Sequence, residues 1–135
     1  MPPIILVVDD NPNNLSLIDY LLRAHGFAPL LARSGADALL VALAERPDVI
    51  LLDIRMPGMN GYEVASEINR QPRLAQTRIV AVTASAMVVD RERIAAAGFH
   101  GYIHKPIDPE TFMGDLAKFL PDPRKDDQHA AAAER

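Results

Sequence analysis

Apolar residues in this chain fall into short unbroken runs, separated by stretches in which they return every three or four positions. Ile4–Val8, Val49–Leu52 and Ile79–Val82 are continuous runs, the pattern of strands buried on both faces. Ala28–Ala32 and Gly101–His104 read as two weaker strands. Helical spacing lies between them. Leu15, Ile18 and Leu22 stand at i, i+3 and i+7, with Gly26 as the stop. Ser34 reads as the N-cap of a helix bearing Leu39, Leu40 and Leu43 that ends before Pro47. Val64 and Ile68 face inward on a helix from Gly61 to about Arg70, and Asp90–Ala97 is a helix closed by Gly98. Asp108 as N-cap and Pro109 in the first position open a last helix, with Phe112, Leu116, Phe119 and Leu120 along its buried stripe.

Five strands alternating with five helices predict an α/β domain: a doubly wound (βα)5 parallel sheet with helices on both faces. Strand order 2-1-3-4-5, the flavodoxin-like solution, is expected, with a ligand site at the carboxyl ends of the strands. Residues 1–120 form the predicted domain. From Pro121 to Arg135 no large apolar side chain occurs, so this stretch reads as a disordered tail.

Composition narrows the function classes. Hydrophobic residues make up 49% and charged residues 24% of 135, which is ordinary for one globular domain. A net charge of −4 provides no basic field for nucleic acid. Without cysteine there is no disulfide framework, thiolate metal site or thiol nucleophile. Neither a signal peptide nor a run of roughly 20 apolar residues is visible, so no membrane partner and a cytoplasmic location are expected.

The chemistry sits where the strands end. Asp9-Asp10 follow the first strand and Asp53 closes the third. Thr83 follows the fourth strand and Lys105 the fifth. A parallel sheet brings these ends to one edge, although 96 positions separate Asp9 from Lys105. Three gathered carboxylates repel one another and need positive charge. Lys105 supplies one charge, and a hard divalent cation with oxygen ligands supplies two more; Mg²⁺ fits best. Zn²⁺ does not, because neither Cys nor a paired His motif is present. An aspartate beside such a cation, an ammonium and a threonine hydroxyl is equipped to attack phosphorus and form an acyl phosphate. Ala84 leaves the approach open.

Ile4–Asn11, Val49–Gly61, Val82–Ala84 and Tyr102–Pro106 together resemble the receiver domain of two-component response regulators, over about residues 4–120. The resemblance implies that Asp53 is the phosphoacceptor. It implies that Asp10, Asp53 and the Arg55 backbone carbonyl ligate Mg²⁺ (Mn²⁺ as a substitute), with Asp9 orienting the metal through water. Thr83 then matches the switch hydroxyl, Tyr102 the switch aromatic and Lys105 the partnering lysine, and a cis peptide is implied at Lys105-Pro106. Arg55 and Ser85 occupy positions that in the family vary and influence phosphate lifetime.

The implied partners are a histidine kinase or phosphotransfer protein as donor. A downstream protein is read on the face of helix 4, strand 5 and helix 5, with the chain a monomer or a phosphorylation-dependent dimer. The type implied is the single-domain one, not an enzyme acting on external substrates. No output domain is read after residue 120, so the signal is expected to leave by protein–protein contact or by onward phosphotransfer.

Other readings compete with this one. Asp9 and Asp10 could cap the first helix, a task for which one acid suffices and Asn13 is also available. Asp53 could form a turn, Thr83 end a strand, Lys105 lie solvated, and Tyr102 be a half-buried strand aromatic; their joint occurrence favours the site. An aspartyl-nucleophile phosphohydrolase needs a second acid two residues on, where Arg55 stands after Asp53. A flavin carrier needs a phosphate loop richer in Ser, Thr and Gly than Asp-Asp-Asn-Pro-Asn. An adaptor that never takes phosphate is the remaining alternative. His25, His100, His104 and His129 show no ligand spacing, although His104 could border a partner surface, and Met56 and Met59 read as loop packing.

Overall fold

The structure, a computed structural model, describes residues 2–84 and 87–121. Its elements run β1 (Ile5–Val8), α1 (Pro12–Ala24), β2 (Leu30–Ala32), α2 (Gly35–Glu45) and β3 (Val49–Asp53). There follow α3 (Gly61–Asn69), a 3-10 turn at Pro72–Leu74, β4 (Arg78–Thr83), α4 (Val88–Ala96), β5 (Gly101–His104) and α5 (Phe112–Ala117). All strand pairs are parallel, in the order β2-β1-β3-β4-β5. This is the predicted topology. Ser85 and the tail beyond Pro121, with His129, lie outside the described residues.

β3 is central, and all five of its residues are buried. Strand alternation sends its side chains to two cores. Ile50 and Leu52 join Leu6, Val8, Val64, Ile68 and Ile94 beneath α2, α3 and α4. Val49 and Leu51 join Ile5, Val7, Ile18, Leu22, Phe112 and Leu116 beneath α1 and α5. Each fully buried aliphatic side chain contributes about 2 kcal/mol by leaving water. Helices on both faces are therefore required by the sequence of β3 itself.

Four elements depart from expectation. β2 is only Leu30–Ala32, because Pro29 lacks the N–H a ladder needs. In α2 the closest face is Gly35, Ala38 and Ala42, while Leu40 is 69% exposed. The helix lies too near α3 for larger side chains: a Cβ on Gly35 would stand 2.7 Å from Val64 Cγ2. α5 begins at Phe112 with Thr111 at its N-cap, not at Asp108. Asp108 instead organises the preceding turn, its side chain accepting from the Glu110 N–H at 2.9 Å and its carbonyl from Phe112 N–H at 2.9 Å. Phe119 and Leu120 follow the helix and pack partly buried against the second core. The helix at Val88–Ala96 also starts two residues before the predicted Asp90.

Candidate functional site

Strand register sets the site. Val8 pairs with Leu52, so Asp9 and Asp53 emerge side by side from adjacent strands. Asp53 pairs with Val82 and Thr83 with His104, which carries Thr83 and then Lys105 to the same edge. The Lys105 N–H donates to the Thr83 carbonyl at 2.7 Å, fixing where the lysine leaves β5. Its peptide bond to Pro106 is cis, as the resemblance implied.

The acids have no capping task. Asn11 caps α1, its side chain accepting from the Asn13 and Asn14 N–H groups, with Pro12 at the start of the helix. Asp9 Oδ1 accepts from the Asn11 N–H at 2.9 Å, which orients that carboxylate. Asp9 and Asp53 are buried and Asp10 is half-buried. One oxygen from each of the three lies within 4.8 Å of the others.

Lys105 Nζ stands 3.3 Å from Asp9 Oδ2 and 3.2 Å from Asp53 Oδ1. Burial, the largest effect, pushes the Asp53 carboxyl up from 3.8 to about 6, and repulsion from Asp9 adds to it. Lys105 and the Arg55 N–H, which donates to Asp53 Oδ1 at 3.3 Å, pull the other way. One ammonium facing three acids leaves the cluster electron-rich. An all-oxygen donor set of this spacing suits a hard divalent cation.

A hollow of about 220 Å³ opens over the cluster, lined by all three acids, Thr83, Ala84 and Lys105. Asn11 and Asn14 line it too, and sequence reasoning did not include them. The signal available was their place at the N-cap and on the first turn of α1, directly after the acids. Tyr102 is 38% exposed on β5 and does not line the hollow. His104 is exposed, His25 Nδ1 meets the Leu21 carbonyl oxygen and His100 Nδ1 accepts from the Ile79 N–H, so none of these three serves the site. Met56 is buried in the first core and Met59 packs against it, as loop packing requires.

Known proteins share this fold and much of this sequence. The chain is 38% identical over 122 residues to the polar-differentiation response regulator DivK of Brucella anthropi, covering 90% of this chain and 99% of that protein. The chemotaxis protein CheY4 of Vibrio cholerae superposes with a TM-score of 0.85 at 29% identity, over 89% of this chain and 100% of that one. The receiver domain of the sensor histidine kinase PA1611 of Pseudomonas aeruginosa, solved with a magnesium ion coordinated in its active-site cleft, gives 0.80 at 34% identity, over 88% and 98%. A family match running from the first strand to the last helix, residues 5–117, completes the comparison, and the protein belongs to the response regulator receiver domain family.

Proposed function

We propose that this receiver domain is a phosphorylation switch in which Asp53 accepts a phosphoryl group from a phosphohistidine on a histidine kinase or phosphotransfer protein. The observation that carries the reading is the Lys105 ammonium, placed between Asp53 and Asp9 at 3.2 and 3.3 Å. A carboxylate oxygen of Asp53 forms the new bond to phosphorus while the bond to the donor imidazole breaks, and the electron pair leaves with that nitrogen. Asp53 has to be ionised to attack. A carboxyl titrating near 6 meets that condition at pH 7 and above.

Asp9, Asp10 and Asp53, with the Arg55 backbone carbonyl, are the groups that would hold Mg²⁺, or Mn²⁺ in its place. When bound, the cation supplies neutralisation of the phosphoryl oxygens. Lys105 adds a second positive charge to the same oxygens, and the Thr83 hydroxyl, buried at the end of β4, is the donor for one of them. The arriving phosphate carries about −1.5 to −2 charge. Drawing Thr83 toward it lets Tyr102 change position on β5. The face of α4, β5 and α5 then changes its preference for a downstream partner. On this reading the domain assists its own phosphorylation and turns over no external substrate, and it works in the cytoplasm. Among the described residues, no helix is long and apolar enough to cross a membrane.

The test is intact mass after incubation with acetyl phosphate and Mg²⁺. A gain of one phosphoryl group, lost in Asp53→Asn, supports the assignment. No gain, or a gain that survives the substitution, refutes it.

A further inference from the structure

Beside the acidic hollow lies a second, larger cavity of about 470 Å³. The two share Ile54, Arg55 and Thr83 as a common wall. The far side of the second cavity is formed by Tyr62 at the start of α3 and by Asp90 and Arg93 of α4. With Arg55 on the near wall, the lining carries two arginines and one aspartate, a charge balance that favours an anion.

Arg93 is held there by packing. Its guanidinium carbon lies 4.2 Å from the centre of the Tyr62 ring, and Phe99 meets that ring edge-on at 6.1 Å and 90°. A guanidinium stacked on an aromatic uses its face and keeps its in-plane N–H donors for an oxyanion. Phe99 is buried in the first core, so the stack is anchored to the body of the domain.

When a small acyl phosphate donates to Asp53, an Asp53 oxygen bonds to phosphorus and the phosphorus–oxygen bond to the acyl group breaks. The electron pair stays on the departing carboxylate, which needs no proton. Attacking and leaving oxygens lie roughly in line, so the acyl group points away from Asp53 and gathers negative charge as it goes. We infer that the cavity between Arg55 and Arg93 seats the carboxylate leaving group of small acyl phosphates, with Arg93, held on Tyr62, as the residue that selects for them. This rests on Asp53 being the phosphoacceptor.

The test compares acetyl phosphate, whose leaving group is an anion, with phosphoramidate, whose leaving group is neutral ammonia. Initial rates of mass gain are measured with Mg²⁺ on the full chain, and the ratio of the two rates is the readout. Arg93→Ala lowers the acetyl phosphate to phosphoramidate ratio by about fivefold, the worth of one partly exposed ion pair, and Arg93→Lys recovers part of it. A ratio unchanged by Arg93→Ala overturns the inference, and since it is taken within one protein sample, partial unfolding does not mimic the effect. If the wild-type chain takes phosphate from neither donor, the assignment of Asp53 fails and the leaving-group seat falls with it.

Discussion

Lys105 Nζ lies 3.2 Å from Asp53 Oδ1 across 52 positions of sequence, with 19% of the lysine side chain exposed. The same nitrogen reaches Asp9, so one cation balances two buried acids. Lys105→Met leaves those acids facing each other. The expected cost is about 1–3 kcal/mol of stability at pH 7, read from urea unfolding without added metal. Phosphorylation by acetyl phosphate is expected to slow by about a hundredfold, the usual scale for losing a positioned charge-stabilising donor. Unfolding and transfer rates that match the wild type would show that the ammonium is a bystander.

Asp53 gives a pH signature of unusual sign. Its carboxyl is raised from 3.8 to about 6 in the fold, mainly by burial. Between those values the folded chain holds a proton that the unfolded chain has released, so metal-free stability falls as pH rises through this window. Below it the penalty is absent, and above about 6 it is fully present. Asp53→Asn, neutral throughout, is expected to match the wild type near pH 4 and to be more stable by about 2 kcal/mol at pH 7 to 8. Urea midpoints across that range check it; a mutant advantage that shrinks with rising pH contradicts the assigned direction.

Much of this was legible in the sequence because parallel sheets convert strand ends into neighbours. The runs leading to Asp9, Asp53, Thr83 and Lys105 located the edge, and register closed the remaining distance. What was illegible depended on packing between elements. Leu39, Leu40 and Leu43 look like a core stripe, yet the approach of α2 to Val64 puts Ala38 and Ala42 on the closest face, leaving Leu39 and Leu43 partly buried at the edge of the core and Leu40 exposed. Asp108-Pro109 carries a helix-start signature, but the chain makes a separate turn there and α5 begins three residues after Pro109. The cap of α1 was open between the two acids and Asn13, and Asn11 took it. The Arg93–Tyr62–Phe99 stack had no linear pattern at all, since its members come from α3, α4 and the segment before β5.

Cation binding is expected to register as stability. A ligand that binds only the folded state adds about 2.7 kcal/mol at a hundred times its dissociation constant. Wild-type protein in Mg²⁺ is expected to unfold at correspondingly higher urea, more so above pH 6, where the metal no longer competes with a proton on Asp53. Asp10→Asn removes one half-buried acid from the trio. It is expected to lose most of the Mg²⁺ gain while its metal-free midpoint stays level or rises slightly, because like charges are relieved. An equal Mg²⁺ gain in both proteins would place the cation elsewhere.

Two helical glycines are expected to respond to alanine with opposite signs. Gly61 opens α3, and a Cβ there would stand 2.7 Å from both the Asp53 carbonyl oxygen and Ile54 Cα. These are backbone atoms of the segment that carries Asp53, so they yield only by moving it. Gly61→Ala is expected to cost about 1–3 kcal/mol and to slow phosphorylation, because the Asp53 carboxylate shifts against Lys105. Gly114 lies within α5, and a Cβ there meets nothing within 4 Å. Gly114→Ala removes backbone freedom from the unfolded chain at no steric cost, and is expected to add about 0.5–1 kcal/mol with phosphorylation unchanged. Thermal melts and acetyl phosphate rates on the two variants decide the matter: stabilisation by Gly61→Ala would mean that the loop after β3 is too loosely held to fix the aspartate.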